Sequence, residues 1–382
     1  MTNSYLSAVF DLPQLYTRPS VQTLLETLDL LTLEPPTWAV DSDTDIGARA
    51  SAPLDEHTYS RRPQVNPEGL AGYLTKIVGS DLRWIESEED KERIWEEASL
   101  RLSERAGRTA RGALTRKFKI TTSRYASSMN SSANNSGFAT PTSTNSTPPS
   151  PSICISLHEP ALTADNLGLK TWAASYLLAN RLRLLRPYLP SLPQAPHESI
   201  LELGSGTGLV GLAAASVLGV GVVLTDLPEI KDNLAKNILM NQTTISHCGG
   251  SARAAILDWE HPRDLSTVHG MNSDEQADHS SWNTPSRFPL ILAADPLYSS
   301  EHPRLLVQAI RAWLARSEDA RVVIELPLRD VYDKEVCDFQ HRMHELGMQI
   351  VSQGEETGYD DWGDGRQEVK CWWSVWGWAE TW

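Results

Sequence analysis

Cysteine is scarce in this chain, with four residues at positions 154, 248, 337 and 371, none near another. No Cys-x-x-Cys pair and no Cys/His cluster at metal spacing occurs, so no metal site is expected and the thiols are expected to be reduced. Basic residues are also short: 34 Lys and Arg stand against 49 Asp and Glu, a formal net charge of −15. Phosphate backbones are bound by a basic face, so nucleic acid is not the expected partner, and the imbalance suits a cationic one. No apolar run is long enough to span a bilayer, and no basic-then-apolar leader opens the chain. A cytoplasmic or nuclear monomer with no membrane partner is therefore expected. What the chain does have is ordinary core material. Its 382 residues are 40% hydrophobic and 22% charged, enough for one large α/β domain with extensions or two average domains.

Along the chain, 1–65 reads as irregular structure with one short helix near 21–31, ended by Pro35-Pro36. A stronger helix runs over 87–106, with Ser87 as its cap, Ile94, Ala98 and Leu102 on one face, and Glu97 and Arg101 one turn apart on another. Positions 121–152 are almost wholly Ser, Thr, Asn, Ala and Pro, a composition too polar to order itself. The flanks, 117–120 and 153–157, alternate at period two. The polar stretch therefore reads as a disordered insertion within a strand hairpin, which chain entropy tolerates at modest cost.

From 170 onward, strands near 200–203, 221–225, 254–257, 290–293 and 321–325 alternate with helices, and two closing strands lie at 348–353 and 369–376. This order calls for a mostly parallel, Rossmann-like sheet covered on both faces, with one closing strand antiparallel. The organisation expected is an N-terminal, mostly helical extension over 1–115, a hairpin over 116–158, and a catalytic domain over 159–382.

Four motifs carry chemistry. Leu201-Glu-Leu-Gly-Ser-Gly-Thr-Gly208 follows an apolar strand and opens a helix, so backbone and helix N-terminus can approach a nucleotide. Asp226 ends the next strand, at the distance where a carboxylate accepts ribose hydroxyls. Leu257-Asp258-Trp259 offers an acid and an aromatic to an adenine, and Ala294-Asp295-Pro-Leu-Tyr298 ends the fourth strand. Gly206-x-Gly208-x-x-Gly211 also spells a dinucleotide fingerprint. Against that reading, Glu202 and Gly204 lead the turn, and the chain closes its sheet without a second mononucleotide unit.

With Gly168-Leu-Lys-Thr-Trp172 added, these motifs resemble the class I seven-strand methyltransferases, and within them the protein-lysine methyltransferases, over roughly 159–376. The resemblance implies S-adenosylmethionine as cofactor, with Trp172, Glu202, Gly204, Gly206, Asp226, Asp258, Trp259 and Ala294 around it. It also implies Asp295 and Tyr298 as the catalytic pair at the mouth that admits a lysine. The run from Asp295 to Pro303, with Glu325-Leu-Pro-Leu-Arg329, looks like the fungal branch acting on translation elongation factors, so a protein substrate is expected. A methyltransferase acting on a small molecule or a non-lysine protein site, and a cofactor-binding interaction module without turnover, remain alternatives. The tryptophans of 372–378 are expected to be sheet-core residues.

Overall fold

The computed structural model describes residues 9–33, 38, 65, 67–107, 112–122, 151–162, 167–193, 197–267, 288–360 and 367–379. Helix α1 (Val21–Leu30) starts at Ser20, whose hydroxyl accepts the Thr23 amide and satisfies one otherwise unpaired donor. Helix α2 (Leu70–Val78) is absent from the sequence expectations, because glycines at 69, 72 and 79 break up the reading. Its buried residues Leu70, Tyr73, Leu74 and Ile77 nonetheless fall on one helical stripe. Helix α3 (Glu88–Ser103) begins at the expected cap, Ser87, which accepts the Asp90 amide. Together these helices enclose a cluster of their own, with Leu24, Leu28, Leu74, Ile77, Ile94 and Ala98 fully buried. The expected Glu97–Arg101 pair forms at 2.9 Å, but it turns inward: Arg101 is buried and also binds Glu104.

Strands β1 (Leu114–Thr121) and β2 (Ser152–Glu159) form an antiparallel hairpin paired from Leu114↔Glu159 to Thr121↔Ser152. It is longer than the sequence indicated, since Thr121 and Ser152, assigned to the insertion, belong to the ladder. The rest of that insertion, 123–150, lies outside the described residues. Phe118, Ile120, Ile155 and Leu157 point into the main core.

The outer edge of β2 is latched by a later helix, α6 (Pro228–His247), through two asparagines. Asn237 and Asn241 each accept a β2 amide (His158, 2.7 Å; Ser156, 2.9 Å) and return a donor to the carbonyl of the same residue. A side-chain amide thus does for an open strand edge what a neighbouring strand would do.

The main sheet explains itself by its short apolar strands. After α4 (Ala173–Leu185) come β3 (Glu198–Leu203), α5 (Leu209–Leu218), β4 (Gly221–Asp226), α6 (Pro228–His247), β5 (Ser251–Ile256), the two-residue β6 (Ser266–Thr267), β7 (Leu290–Ala294), α7 (His302–Trp313), β8 (Arg321–Pro327), α8 (Asp333–Glu345), β9 (Met348–Asp360) and β10 (Gln367–Trp378). Their spatial order is β6-β5-β4-β3-β7-β8-β10-β9. Strands β3, β4, β5, β7 and β8 are parallel, and β10 inserts antiparallel between β8 and β9. Seven strands make the expected class I arrangement; the short β6 is an eighth, added on the β5 edge.

Helices α4, α5 and α6 bury one face and α7 and α8 the other, so the strands are apolar on both sides. Trp372, Trp376 and Trp378 pack on the α7/α8 side, and Trp373 lies on the opposite face, stacked under Arg181 at 4.4 Å. The order in which successive strands are added outward reverses at β3/β7, where both strands run parallel. Those two carboxyl ends border the crevice where such sheets bind ligands.

Candidate functional site

On the β3 side, backbone builds the site. Gly204, Gly206 and Gly208 adopt φ of 68°, 53° and 91°, the left-handed region that a side chain penalises. At Gly206 a Cβ would also lie 2.8 Å from the Gly168 carbonyl oxygen, so the loop and the 168–172 segment approach as closely as backbones can. Asp226 closes the loop from the end of β4. Its Oδ2 accepts the Gly206 amide at 2.7 Å and its Oδ1 the Leu227 amide at 2.8 Å. Loss of water raises its carboxyl to about 6, against these two amides, which favour the charged form.

Glu202 sits beneath the loop, buried, with Oε2 accepting the Gly211 amide in the first turn of α5 at 3.0 Å. Burial pushes it up to about 8, so it is mostly the neutral acid at pH 7. Gly211, the third glycine of the dinucleotide-like register, is required by this packing. A Cβ there would stand 2.5 Å from Glu202 Oε2 and 2.6 Å from Leu224 Cγ.

Trp259 lies over the loop, its Cζ2 3.3 Å from where a Gly204 Cβ would be. Its ring meets His302 edge-on at 5.9 Å, and His302 meets Tyr298 edge-on at 4.2 Å. An aromatic line thus runs from the glycine loop to the β7 loop. His302, quoted in the sequence run without a role, is its middle member. Tyr298 is 60% exposed at the rim, and lost hydration first, then the Asp226 and Asp295 carboxylates, hold its phenol above the ordinary value. Asp258 is engaged in its own turn, accepting the Glu260 amide at 2.9 Å and facing His261 Nδ1 at 3.4 Å.

On the β7 side, side chains build the site. Ala294 ends β7, buried, and Asp295 follows at φ 51° with its amide bonded to the Glu325 carbonyl of β8. Asp295 Oδ2 lies 3.6 Å from Arg329 Nη2, while Oδ1 is buried without a hydrogen-bond partner among the described residues. Desolvation raises this carboxyl to about 6, with Arg329 opposing, Asp360 adding and Lys170 opposing.

Trp172 immediately precedes α4. Lys170 Nζ stands 4.1 Å and the Arg329 guanidinium 5.6 Å from its ring centroid, both within cation–π range. Thr171 ties this segment to the glycine loop through Thr207 (2.7 Å) and to the hairpin through Glu159 (3.0 Å). Below Asp295, Glu325 is fully buried and raised well above the carboxylate range by burial and then by Glu356, which Arg181 clasps at 2.6 Å.

Sequence reasoning located the glycine loop, Asp226, Trp259, Asp295, Tyr298 and Trp172, and the structure gathers them at one end of the sheet. It assigned no role to Arg329, Lys170 or Asp360. Arg329 carried a weak signal as the last residue of Glu325-Leu-Pro-Leu-Arg329; Asp360, in a polar stretch between the closing strands, carried none.

Comparison with known proteins supplies the final observation. A family model described as lysine methyltransferase matches residues 152–343. Protein-lysine N-methyltransferase rrg1 of Schizosaccharomyces pombe is 30% identical over 354 residues, covering 92% of this chain and 98% of that protein. Protein-lysine N-methyltransferase EFM2 of Saccharomyces cerevisiae is 32% identical over 78% of this chain and 64% of its own length. EEF1A lysine methyltransferase 3 of Mus musculus is 27% identical over 42% of this chain and 58% of its own. Among solved structures, a SAM-dependent methyltransferase from Methanosarcina mazei is 15% identical, covers 52% of this chain and 98% of its own, and gives a TM-score of 0.35.

Proposed function

The chain belongs to the lysine methyltransferase family, uses S-adenosylmethionine as methyl donor, and on that premise we propose that it methylates a lysine of a translation elongation factor. The elongation-factor reading is supported by the name of the mouse relative and by the run from Asp295 to Pro303. The observation that carries the site assignment is the pair of carboxylates, Asp226 at the end of β4 and Asp295 just after β7, on the two strands that flank β3 and its glycine loop.

The residues present fit the cofactor. Left-handed glycines leave Cβ-free space, Asp226 supplies a carboxylate for ribose hydroxyls, and Trp259 supplies an aromatic face. When bound, the cofactor supplies an electrophilic methyl on a cationic sulfur, so the protein's task is alignment and control of the acceptor's proton.

A free lysine, with a pKa of about 10.4, is mostly charged at pH 7 and attacks only when neutral. Tyr298 stands at the rim and Trp172 lies against Arg329 and Lys170 near Asp295, and an acceptor amine desolvated among them is favoured in its neutral form. Asp295 orients the ammonium and, with its own pKa raised to about 6, is placed to take or relay its proton. Tyr298 holds the amine by ring face or hydroxyl.

The test is incubation of the full chain with tritiated S-adenosylmethionine and, separately, purified elongation factor 1A and fungal lysate, followed by mass spectrometry of lysines. Label on elongation-factor lysines supports the proposal. Label confined to small molecules, or no label despite cofactor binding, replaces it with one of the two alternatives from the sequence.

A further inference from the structure

Asp360 closes β9 and is buried at 3% exposure, yet no motif marks it. Its Oδ1 accepts the Ala173 amide at the start of α4 (2.8 Å) and lies 3.9 Å from Lys170 Nζ. Its Oδ2 hydrogen-bonds Arg329 Nη2 at 3.3 Å. The same nitrogen is 3.6 Å from Asp295 Oδ2, beyond hydrogen-bond range. Two carboxylates therefore compete for one guanidinium, and Asp360 has the better hold. The consequence is visible at Asp295: one oxygen is weakly paired, and the other is buried with no partner among the described residues. A buried unsatisfied carboxylate oxygen is costly, and such cost persists where a ligand relieves it.

We propose that Asp360 is a positioning residue of the acceptor site, holding Arg329 off Asp295 so that Asp295 stays half-paired and open to an incoming amine. Without Asp360, the guanidinium would swing fully onto Asp295, as an Arg–carboxylate pair favours, and plug the site. The groups facing Asp295 are Arg329 after β8, Asp360 on β9, Lys170 ahead of α4, Tyr298 in its own loop and the Cys371 thiol from β10. The acceptor role and the incoming amine rest on the methyltransfer reading; the competition for Arg329 does not.

The test titrates Asp295 in the full chain, labelled with ¹³C at aspartate carboxyls and assigned by the signal lost in Asp295→Asn. Asp360→Asn, which keeps an oxygen for the Ala173 amide, should lower the Asp295 midpoint by about one pH unit, because Arg329 becomes its full partner. Arg329→Met should raise the midpoint, Arg329→Lys should raise it less, and Asp360→Asn should shift it far less in the Arg329→Met background. A midpoint unmoved or raised by Asp360→Asn overturns the proposal. Should that variant fail to fold, the neutral Asp360→Ser replaces it, and a midpoint that it leaves unmoved or raises overturns the proposal equally.

In the activity arm, with labelled S-adenosylmethionine and fungal lysate, Asp360→Asn should raise KM for the protein acceptor and leave cofactor Kd within about threefold. If the wild-type chain labels no protein, the methyltransfer reading falls, while the titration still decides the role of Asp360.

Discussion

The two halves of the crevice are built differently. The β3/β4 half is local: Glu202, the glycine loop, Gly211 and Asp226 lie within 25 residues, and their bonds run mostly to backbone amides. The β7/β8 half is assembled from Lys170–Trp172, Asp295–His302, Arg329 and Asp360, brought together only by the finished sheet. The local half can be shared by any enzyme that uses the cofactor. The assembled half depends on side chains from four segments, so it is where acceptor choice can vary without disturbing the donor.

The sharpest way to break this division is Asp226→Ala. It removes both the latch on the Gly206 amide and the carboxylate proposed for the ribose, and calorimetry should show cofactor affinity down at least about 100-fold, roughly 2.7 kcal/mol. Unchanged cofactor binding in that variant would refute the assignment. Tyr298→Ala attacks the other half. Turnover on the protein acceptor should fall by about 10- to 100-fold while cofactor Kd moves less than about threefold, since the ring stands at the rim. Wild-type turnover would remove Tyr298 from the mechanism.

Acid should separate the halves more gently. Asp226 has its carboxyl raised to about 6, so it gains a proton below that pH, and the ribose hydroxyls need the ionised form. Cofactor affinity should therefore fall by up to about tenfold per pH unit below 6. The same raised value gives the cofactor-free fold the opposite slope at this residue. Folding favours the protonated form, a contribution present in acid and lost as pH rises through about 6. The gain in Tm on adding cofactor should accordingly shrink as pH drops; a constant gain from pH 7.5 to 5 would contradict it.

The smallest effect is that of Glu202→Gln. As a neutral acid bonded to the Gly211 amide, Glu202 should tolerate that change within about 1 kcal/mol, whereas Glu202→Ala strands that amide and costs about 1–3 kcal/mol or more. Equal stability of the two variants by chemical denaturation would argue against a neutral, bonded Glu202.

Legibility in the sequence follows the same division. Strand–loop–helix–strand with Gly204 to Asp226 is a contiguous pattern, so it could be read directly, as could the period-two flanks of the hairpin. The start of α3 was readable because Ser87 and Asp90 carry a local bond. The sequence pattern for strand β9 stops at 353, whereas the strand runs to Asp360. Its continuation, Gly-Glu-Glu-Thr-Gly-Tyr-Asp360, has loop composition and is held extended by β10 through a ladder ending at Asp360↔Gln367. Asp360 thus fell in what looked like a loop, and its ties to Arg329 and Ala173 depend on that long-range pairing. Asp258 stands in a contiguous motif that could be read directly; its Oδ1 accepts the Glu260 amide of the turn that follows and its Oδ2 faces His261.

Asp295 at φ 51° narrows what evolution can do at that position. Among residues with a side chain, asparagine and aspartate are those that most readily occupy the left-handed region. Either aspartate codon becomes an asparagine codon by one base change. The backbone would stay as it is and the negative charge would vanish, with the donor half of the crevice untouched. On the role proposed for Asp295, one base change thus separates a transferase from a protein expected to keep its backbone and its nucleotide grip and to lose turnover.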